Sequence, residues 1–78
     1  MSEQKAKFAI DLHTQDITAY ISQTKGISPN DALREFMNSQ TYAVLLNTES
    51  FLYSESPEYL IDMYQSELTG DWEKWLAV

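Results

Sequence analysis

Few side chains in this sequence have the types and spacing that chemistry at a site requires. His13 is the only histidine, and Asp16 follows three residues later, on the same side of a helix. The two could share a metal ion, but a zinc site takes about four ligands, and the chain has no second histidine and no cysteine. His13 also falls between Ile10 and Ile17 in an apolar stripe. We therefore expect a partly buried, structural histidine.

The other chemical candidates are carboxylates. Glu58 and Asp62 stand four residues apart, a spacing that suits cation binding or acid–base work. No neighbouring pattern suggests a pocket, so we expect a solvated acidic face. Serine and threonine are plentiful, yet none stands in a nucleophile motif, and two isolated glycines cannot form a phosphate-binding loop. The sequence predicts no enzymatic activity, no cofactor and no bound metal.

Charge is distributed unevenly along the chain, whose formal net charge is −7. After Arg34 the next cation is Lys74. The acids between them are Glu35, Glu49, Glu55, Glu58, Asp62, Glu67, Asp71 and Glu73. Such a field repels phosphate, which predicts no nucleic-acid binding and favours a basic protein surface as partner. The alternative is that the acids serve only solubility.

Composition places the chain among small globular proteins. With 78 residues, 44% of them hydrophobic, residues 1–78 should form a single domain with a thin core. No apolar run reaches the roughly 18 residues of a membrane span. The first residues, MSEQKAK, lack the apolar segment of a signal peptide. Because the chain also has no cysteine, we expect a cytoplasmic protein without a membrane partner.

The stretch over residues 27–46 is the centre of the predicted fold. Ser28 is an expected N-cap, with Pro29 at the first helical position and Asp31 in the first turn. The apolar face that follows is Ala32, Leu33, Phe36 and Met37, with Leu33 and Phe36 expected at the centre of the core. Residues 38–41 favour a break near Ser39 and a second short helix through about Leu46. The alternative is one continuous helix.

A first helix is predicted over residues 4–24. Its main apolar face is Ala6, Ala9, Ile10, His13, Ile17, Tyr20 and Ile21. A second stripe of Phe8, Leu12 and Ala19 would touch another element or a partner chain. The alternative takes residues 7–12 as a strand that pairs with residues 51–53, which would make the fold α+β.

The last predicted helix begins at Ser56-Pro57, which repeats the earlier start signal, and ends at Gly70. Its core face is Leu60, Ile61, Tyr64 and Leu68. Residues 47–55 connect it to the central stretch, with a short extended segment near Phe51. We therefore predict an all-α, compact bundle of four or five short helices.

Two groups of residues are candidates for binding a partner. Tyr59 and Met63 lie off the apolar face of the last helix, and Asp62, Ser66 and Glu67 flank them. They are predicted to form a docking patch, unless this helix is covered on both sides. Beyond this helix, Trp72 and Trp75 either fold back over the core or dock to a second chain.

A set of capping, core and turn residues resembles a family of short proteins of unknown function from bacterial and mobile-element genomes. The pattern is Gly26-Ile27-Ser28, Asp31-Ala32-Leu33, Phe36-Met37, Ser39-Gln40-Thr41-Tyr42, Leu45-Leu46, Phe51-Leu52-Tyr53 and Ser56-Pro57-Glu58-Tyr59-Leu60. The resemblance spans about residues 8–68. It implies no activity. Because some relatives sit beside toxin-like genes, it implies an antitoxin-like or accessory role.

Together these features predict a small, acidic, cytoplasmic protein-interaction module with an antitoxin-like or regulatory role. One alternative is an acidic inhibitor that mimics nucleic acid in the basic groove of another protein. Another is a self-associating structural protein, with a homodimer as its simplest form. Salt dependence separates the first two, because binding through charge weakens with salt whereas apolar docking changes little.

Overall fold

The computed structural model describes residues 3–71 and consists of four α-helices. These are α1 (Glu3–Lys25), α2 (Pro29–Met37), α3 (Gln40–Leu46) and α4 (Pro57–Thr69). Two 3₁₀ turns, Thr48–Ser50 and Leu52–Ser54, connect α3 to α4. Residues 3–71 contain no strand. The predicted all-α class is confirmed, the α+β alternative is wrong, and the segment expected to be extended near Phe51 is folded into turns.

Helix α1 is the longest element and the one on which the others pack. It contacts α2 most extensively, and also α3, α4 and the second 3₁₀ turn. The predicted apolar face points inward, with Ile17 and Ile21 fully buried. None of the helices formed by residues 3–71 combines the length and the apolarity needed to cross a bilayer. The 23 residues of α1 are thus a scaffold for the packing of the shorter helices.

Local capping signals set the boundaries of α2 and α3. The backbone N–H of Asp31 donates to Oγ of Ser28 at 3.1 Å, so Ser28 is the N-cap of α2. The predicted break is also present, because the N–H of Tyr42 donates to Oγ of Ser39 at 3.1 Å and a new helix starts there. Both caps satisfy N–H groups that no preceding turn can reach.

The core centres on Phe36, which is fully buried. Its ring makes edge-to-face contacts with Tyr42, at a centroid distance of 5.4 Å, and with Tyr64, at 5.7 Å. Leu33, predicted to share the centre, is only half-buried, and Met37 is exposed. The buried face of α2 is therefore narrower than predicted.

The orientation of α4 differs from the predicted one. Leu60 and Tyr64 are buried as expected, but Leu68 is exposed and Ile61 is half-buried. Met63, predicted to face outward, is only 4% exposed and belongs to the core. Relative to the predicted orientation, the helix is rotated about its axis so that Met63, rather than Leu68, lies against the other elements.

We expect Ser28→Ala to lower the free energy of unfolding by about 1 kcal/mol, because it removes the cap bond to the N–H of Asp31. Equilibrium urea denaturation measures the change. Gln23→Ala, an exposed substitution within α1, is the control and should leave the midpoint nearly unchanged. A midpoint for Ser28→Ala equal to that of the unmodified chain would contradict the role of the cap.

Candidate functional site

His13 has a structural position. It is buried, and since a carbonyl oxygen can only accept, its Nε2–H donates to the backbone oxygen of Tyr53 at 2.9 Å. Nδ1 is buried without a hydrogen-bond partner. Asp16 is exposed, and nowhere in residues 3–71 do three histidine, aspartate or glutamate side chains lie close enough to hold a metal ion. His13 thus ties α1 to the second 3₁₀ turn.

The docking patch predicted on α4 does not form an exposed surface. Met63 and Ser66 are both buried, and only Tyr59 and Asp62 remain exposed. The prediction for Met63 and Ser66 is corrected accordingly: this helix is covered on the side where the patch was expected. The other two candidates for binding a partner, Trp72 and Trp75, lie outside the described residues.

Exposed apolar side chains occur elsewhere on the described surface. They are Phe8, Leu12, Met37, Leu46, Phe51, Tyr59 and Leu68. Single exposed apolar residues are ordinary on protein surfaces. Phe51 differs from the others because its backbone conformation is also unfavourable.

Phe51 joins the two 3₁₀ turns in a left-handed conformation, with φ 58° and ψ 16°. It is the one non-glycine residue within 3–71 whose φ is positive. This conformation costs a side chain with a β-carbon roughly 1–2 kcal/mol. The residue is nevertheless 63% exposed. Its ring contact within the segment is a tilted one with Tyr53, at a centroid distance of 6.1 Å.

Backbone hydrogen bonds fix Phe51 in place. Its N–H donates to the Thr48 oxygen at 3.2 Å, and its own oxygen accepts from the N–H of Ser54 at 3.1 Å. The Oγ of Ser50 donates to the carbonyl oxygen of Val44 at 2.9 Å, which anchors the first turn to α3. The conformation is therefore imposed by the surrounding turns. We call residues 47–55 the aromatic turn.

The aromatic turn is acidic. Glu49 and Glu55 flank Phe51 along the chain, and both are exposed. Residues 47–55 contain no lysine or arginine. The turn thus carries an exposed phenylalanine and two exposed acidic residues, on a segment whose backbone is held by its own hydrogen bonds.

The sequence suggested residues 51–53 only as a short apolar run packed over the core. Leu52 and Tyr53 are indeed buried, whereas Phe51 points outward. No local signal indicates the positive φ, because the residues that favour it are glycine, asparagine and aspartate. Pattern reasoning therefore could not have singled out Phe51.

A second electrostatic centre lies where α1, α2 and α4 meet. Glu35 accepts hydrogen bonds from the ammonium group of Lys25 and, at 3.1 Å, from the hydroxyl of Tyr64. The bond from Lys25, with a smaller contribution from Tyr64, lowers the pKa of Glu35 below its usual value. Burial, with the adjacent negative charge of Glu35, raises the pKa of Tyr64 to about 12. The arrangement favours a charged Glu35 and a neutral phenol, and it cross-links three helices.

This centre predicts a loss of stability in alkali. The ordinary tyrosine pKa is 10.0 and that of Tyr64 in the fold is about 12. A raised pKa means that the folded state holds the proton more tightly. The contribution of protonated Tyr64 to the free energy of unfolding is therefore complete below pH 10 and is lost as the pH rises towards 12. We expect a loss on the order of 2 kcal/mol. Ultraviolet titration should show the late ionisation of Tyr64.

The control separates Tyr64 from the other tyrosines. Tyr64→Phe should abolish the late ionisation, whereas Tyr59→Phe, at an exposed position, should leave it in place. If the unmodified folded chain shows no late ionisation, the environment assigned to Tyr64 is wrong.

Comparison with known proteins provides no further guide to the site. No family model, no curated protein and no solved structure matches this chain. The resemblance to short bacterial and mobile-element proteins therefore stays a prediction, and function must be argued from the geometry of the described residues.

Proposed function

We propose that this chain is an acidic protein-interaction module whose docking element is the aromatic turn. The observation that carries the proposal is Phe51, a large apolar side chain that is exposed by a strained backbone. Strain of this kind persists where surrounding structure imposes it, and it concentrates at ligand-binding and switch regions. Loops held by a rigid scaffold are also common carriers of binding residues.

Stability alone does not account for a phenylalanine at this position. Burial of a phenylalanine side chain contributes about 1.5–3 kcal/mol, but Phe51 remains 63% exposed and gains only part of this amount. The left-handed backbone costs a similar amount. Asparagine would fit the backbone better. A partner that covers the ring would supply the missing burial.

The charge around the ring indicates the chemistry of the partner. Glu49 and Glu55 are exposed on either side of Phe51, and the chain carries a net charge of −7. A complementary surface would have an apolar pocket with lysine or arginine at its rim. The antitoxin-like or regulatory role that the resemblance implies would then consist of binding a protein with such a surface.

The proposal differs measurably from nucleic-acid mimicry. A mimic binds through charge spread over its surface, so its affinity falls steeply with salt and depends little on any one apolar side chain. Docking through Phe51 predicts a large loss on substitution of the ring and a modest dependence on salt. Loss of Glu49 and Glu55 should mainly slow association.

The test compares variants of the aromatic turn in the full chain. Phe51→Asn should bind the partner at least tenfold more weakly, because it removes the apolar anchor. The same substitution should preserve or raise the free energy of unfolding, since asparagine tolerates the left-handed conformation. Immobilised variants are incubated with a lysate of the source cells, the retained proteins are quantified by mass spectrometry, and thermal melting is measured in parallel.

Leu68→Ser is the matched control, because Leu68 is also an exposed apolar residue but lies on α4, outside the aromatic turn. It should retain the same proteins in the same amounts as the unmodified chain. Equal capture by Phe51→Asn and by the unmodified chain would exclude the aromatic turn as the docking element. A strong loss of stability in Phe51→Asn would show instead that the ring serves folding.

A further inference from the structure

The outward face of α1 carries a second apolar surface that the aromatic turn does not explain. Phe8 is 66% exposed and Leu12 is 45% exposed. Together with Gln15, Ala19 and Ser22 they recur at alternating intervals of four and three residues. This is the spacing of a seam along which two helices pack. The second stripe predicted from the sequence is thus largely uncovered by the chain's own helices.

The two ends of the seam differ in shape. Its C-terminal half forms one wall of a shallow groove between α1 and the start of α2, where Pro29 forms part of the other wall. Gln15, Ala19 and Ser22 line this groove. The seam therefore has a projecting ring, Phe8, at one end and a concave region around the small side chain of Ala19 at the other.

We propose that two copies of this chain associate through α1 in antiparallel orientation, so that Phe8 of each copy enters the groove over Ala19 of the other. Phe8 and Ala19 are eleven residues apart, which places them about 16 Å apart along the axis and within about 20° around it. A two-fold axis midway between them makes both contacts at once. Such self-complementarity is what an isologous dimer interface requires.

The same register keeps the acidic residues of α1 apart. Asp11 and Asp16 lie on opposite flanks of the seam, because five residues turn a helix by about 140°. With Phe8 opposite the partner copy's Ala19, Asp11 lies on one flank beside the partner copy's Thr18. On the other flank, Asp16 lies beside the partner copy's Ala9. No carboxylate of α1 thus faces another across the pair, and the local charges permit the contact.

At longer range the two chains repel each other, since each carries a net charge of −7. The interface is also small, because one helix face supplies it, and small interfaces form weak, reversible complexes. We therefore expect a weak dimer that added salt strengthens by screening the repulsion. Binding of a basic partner through the aromatic turn would respond to salt in the opposite direction.

Sedimentation equilibrium of the full chain tests the proposal over a range of protein and salt concentrations. The unmodified chain should show a monomer–dimer equilibrium that shifts towards dimer as salt increases. Phe8→Ala should raise the dissociation constant at least about a hundredfold, because each dimer loses two buried rings. Phe51→Asn, which alters the other exposed ring, should dimerise as the unmodified chain does.

A size exchange tests the register. Ala19→Phe alone should prevent dimerisation, because two rings would then meet. Phe8→Ala combined with Ala19→Phe recreates each large–small pair in reverse and should restore the dimer. Circular dichroism verifies that every variant stays folded, as expected for two exposed positions.

Engineered cysteines provide an independent check, because the natural chain has none. The register places Leu12 of one copy beside Gln15 of the other. A mixture of Leu12→Cys and Gln15→Cys chains should therefore oxidise mainly to the mixed disulfide rather than to either symmetric one. The proposal is overturned by a chain that stays monomeric at high concentration and high salt, by a dimer insensitive to Phe8→Ala, or by failure of the size exchange to restore association.

Discussion

Phe36→Ala should remove most of the protein's stability at room temperature. Replacing a fully buried phenylalanine by alanine costs about 3–5 kcal/mol, of which part is lost transfer energy and part is the cavity left behind. Domains of this size have a total stability near the lower end of about 5–15 kcal/mol. Phe36 also contacts the rings of Tyr42 and Tyr64, so the substitution removes two edge-to-face pairs and loosens α3 and α4 from α2.

Two controls test whether the loss of stability comes from the burial of Phe36 rather than from the removal of any large apolar side chain. Phe8→Ala removes the same side chain from an exposed position, and Met37→Ala removes an exposed apolar residue next to Phe36 in the same helix. Both should change the denaturation midpoint little. Circular dichroism in urea measures all three variants. A Phe36→Ala chain that melts close to the unmodified chain would place the centre of the core elsewhere.

The helix starts could be predicted because their signals are local. Ser28 and Ser39 each precede a run of helical spacing, and each satisfies an N–H three residues ahead. Ser56 does the same for α4, with the N–H of Tyr59 donating to its Oγ at 3.2 Å. Such bonds depend on a few consecutive residues, so the sequence contains the information needed to predict them.

The buried faces were harder to predict, especially on α4. Its apolar residues lie around most of its circumference, since Tyr59, Met63 and Leu68 point in different directions from Leu60. Which of them becomes buried depends on where α1 and α3 pack. The sequence placed Leu68 inside and Met63 outside, and the structure reverses both. Periodicity identifies a helix more reliably than it identifies the buried side of a helix whose apolar residues span so wide an arc.

Interactions between distant parts of the chain were not predictable from any local pattern. Phe51 has a conformation that depends on two turns and on the anchor to α3. Glu67 was predicted as one of the acids of the second half and as a flank of the docking patch on α4, yet its carboxylate contacts Thr41 and Gln40, which lie 26 and 27 positions earlier. Phe51 defines the proposed site, and Glu67 supports α3, the shortest of the four helices.

Glu67 completes the N-terminus of α3. One of its oxygens accepts from the N–H of Thr41 at 2.9 Å and from the Thr41 hydroxyl at 2.8 Å. The other accepts from the N–H of Gln40 at 2.8 Å. Ser39 satisfies the N–H of Tyr42, and the N–H of Ala43 makes the first bond of the helix itself. Every N–H that this helix start leaves without an intrahelical acceptor is thus bonded.

We therefore expect Glu67→Ala to lower the free energy of unfolding by about 2–3 kcal/mol, since it leaves two backbone N–H groups and a buried hydroxyl without their acceptor. It also removes an anion from the positive end of α3. Glu67→Gln should cost less than Glu67→Ala, because its amide oxygen can still replace one of the two carboxylate oxygens. Urea denaturation measures both changes, and Asp62→Asn, which alters an exposed carboxylate further along the same helix, is the control.

The loss should be localised as well as large. A helix of seven residues has little stability of its own, so α3 should open before the remainder of the fold when its N-terminus is left unsatisfied. Amide hydrogen exchange should then accelerate first for α3 in Glu67→Ala, while the amides of α1 exchange only on global unfolding. Equal acceleration in α1 and α3 would show that the contact supports the fold as a whole. An unchanged midpoint together with unchanged exchange in α3 would show that solvent replaces the carboxylate without cost.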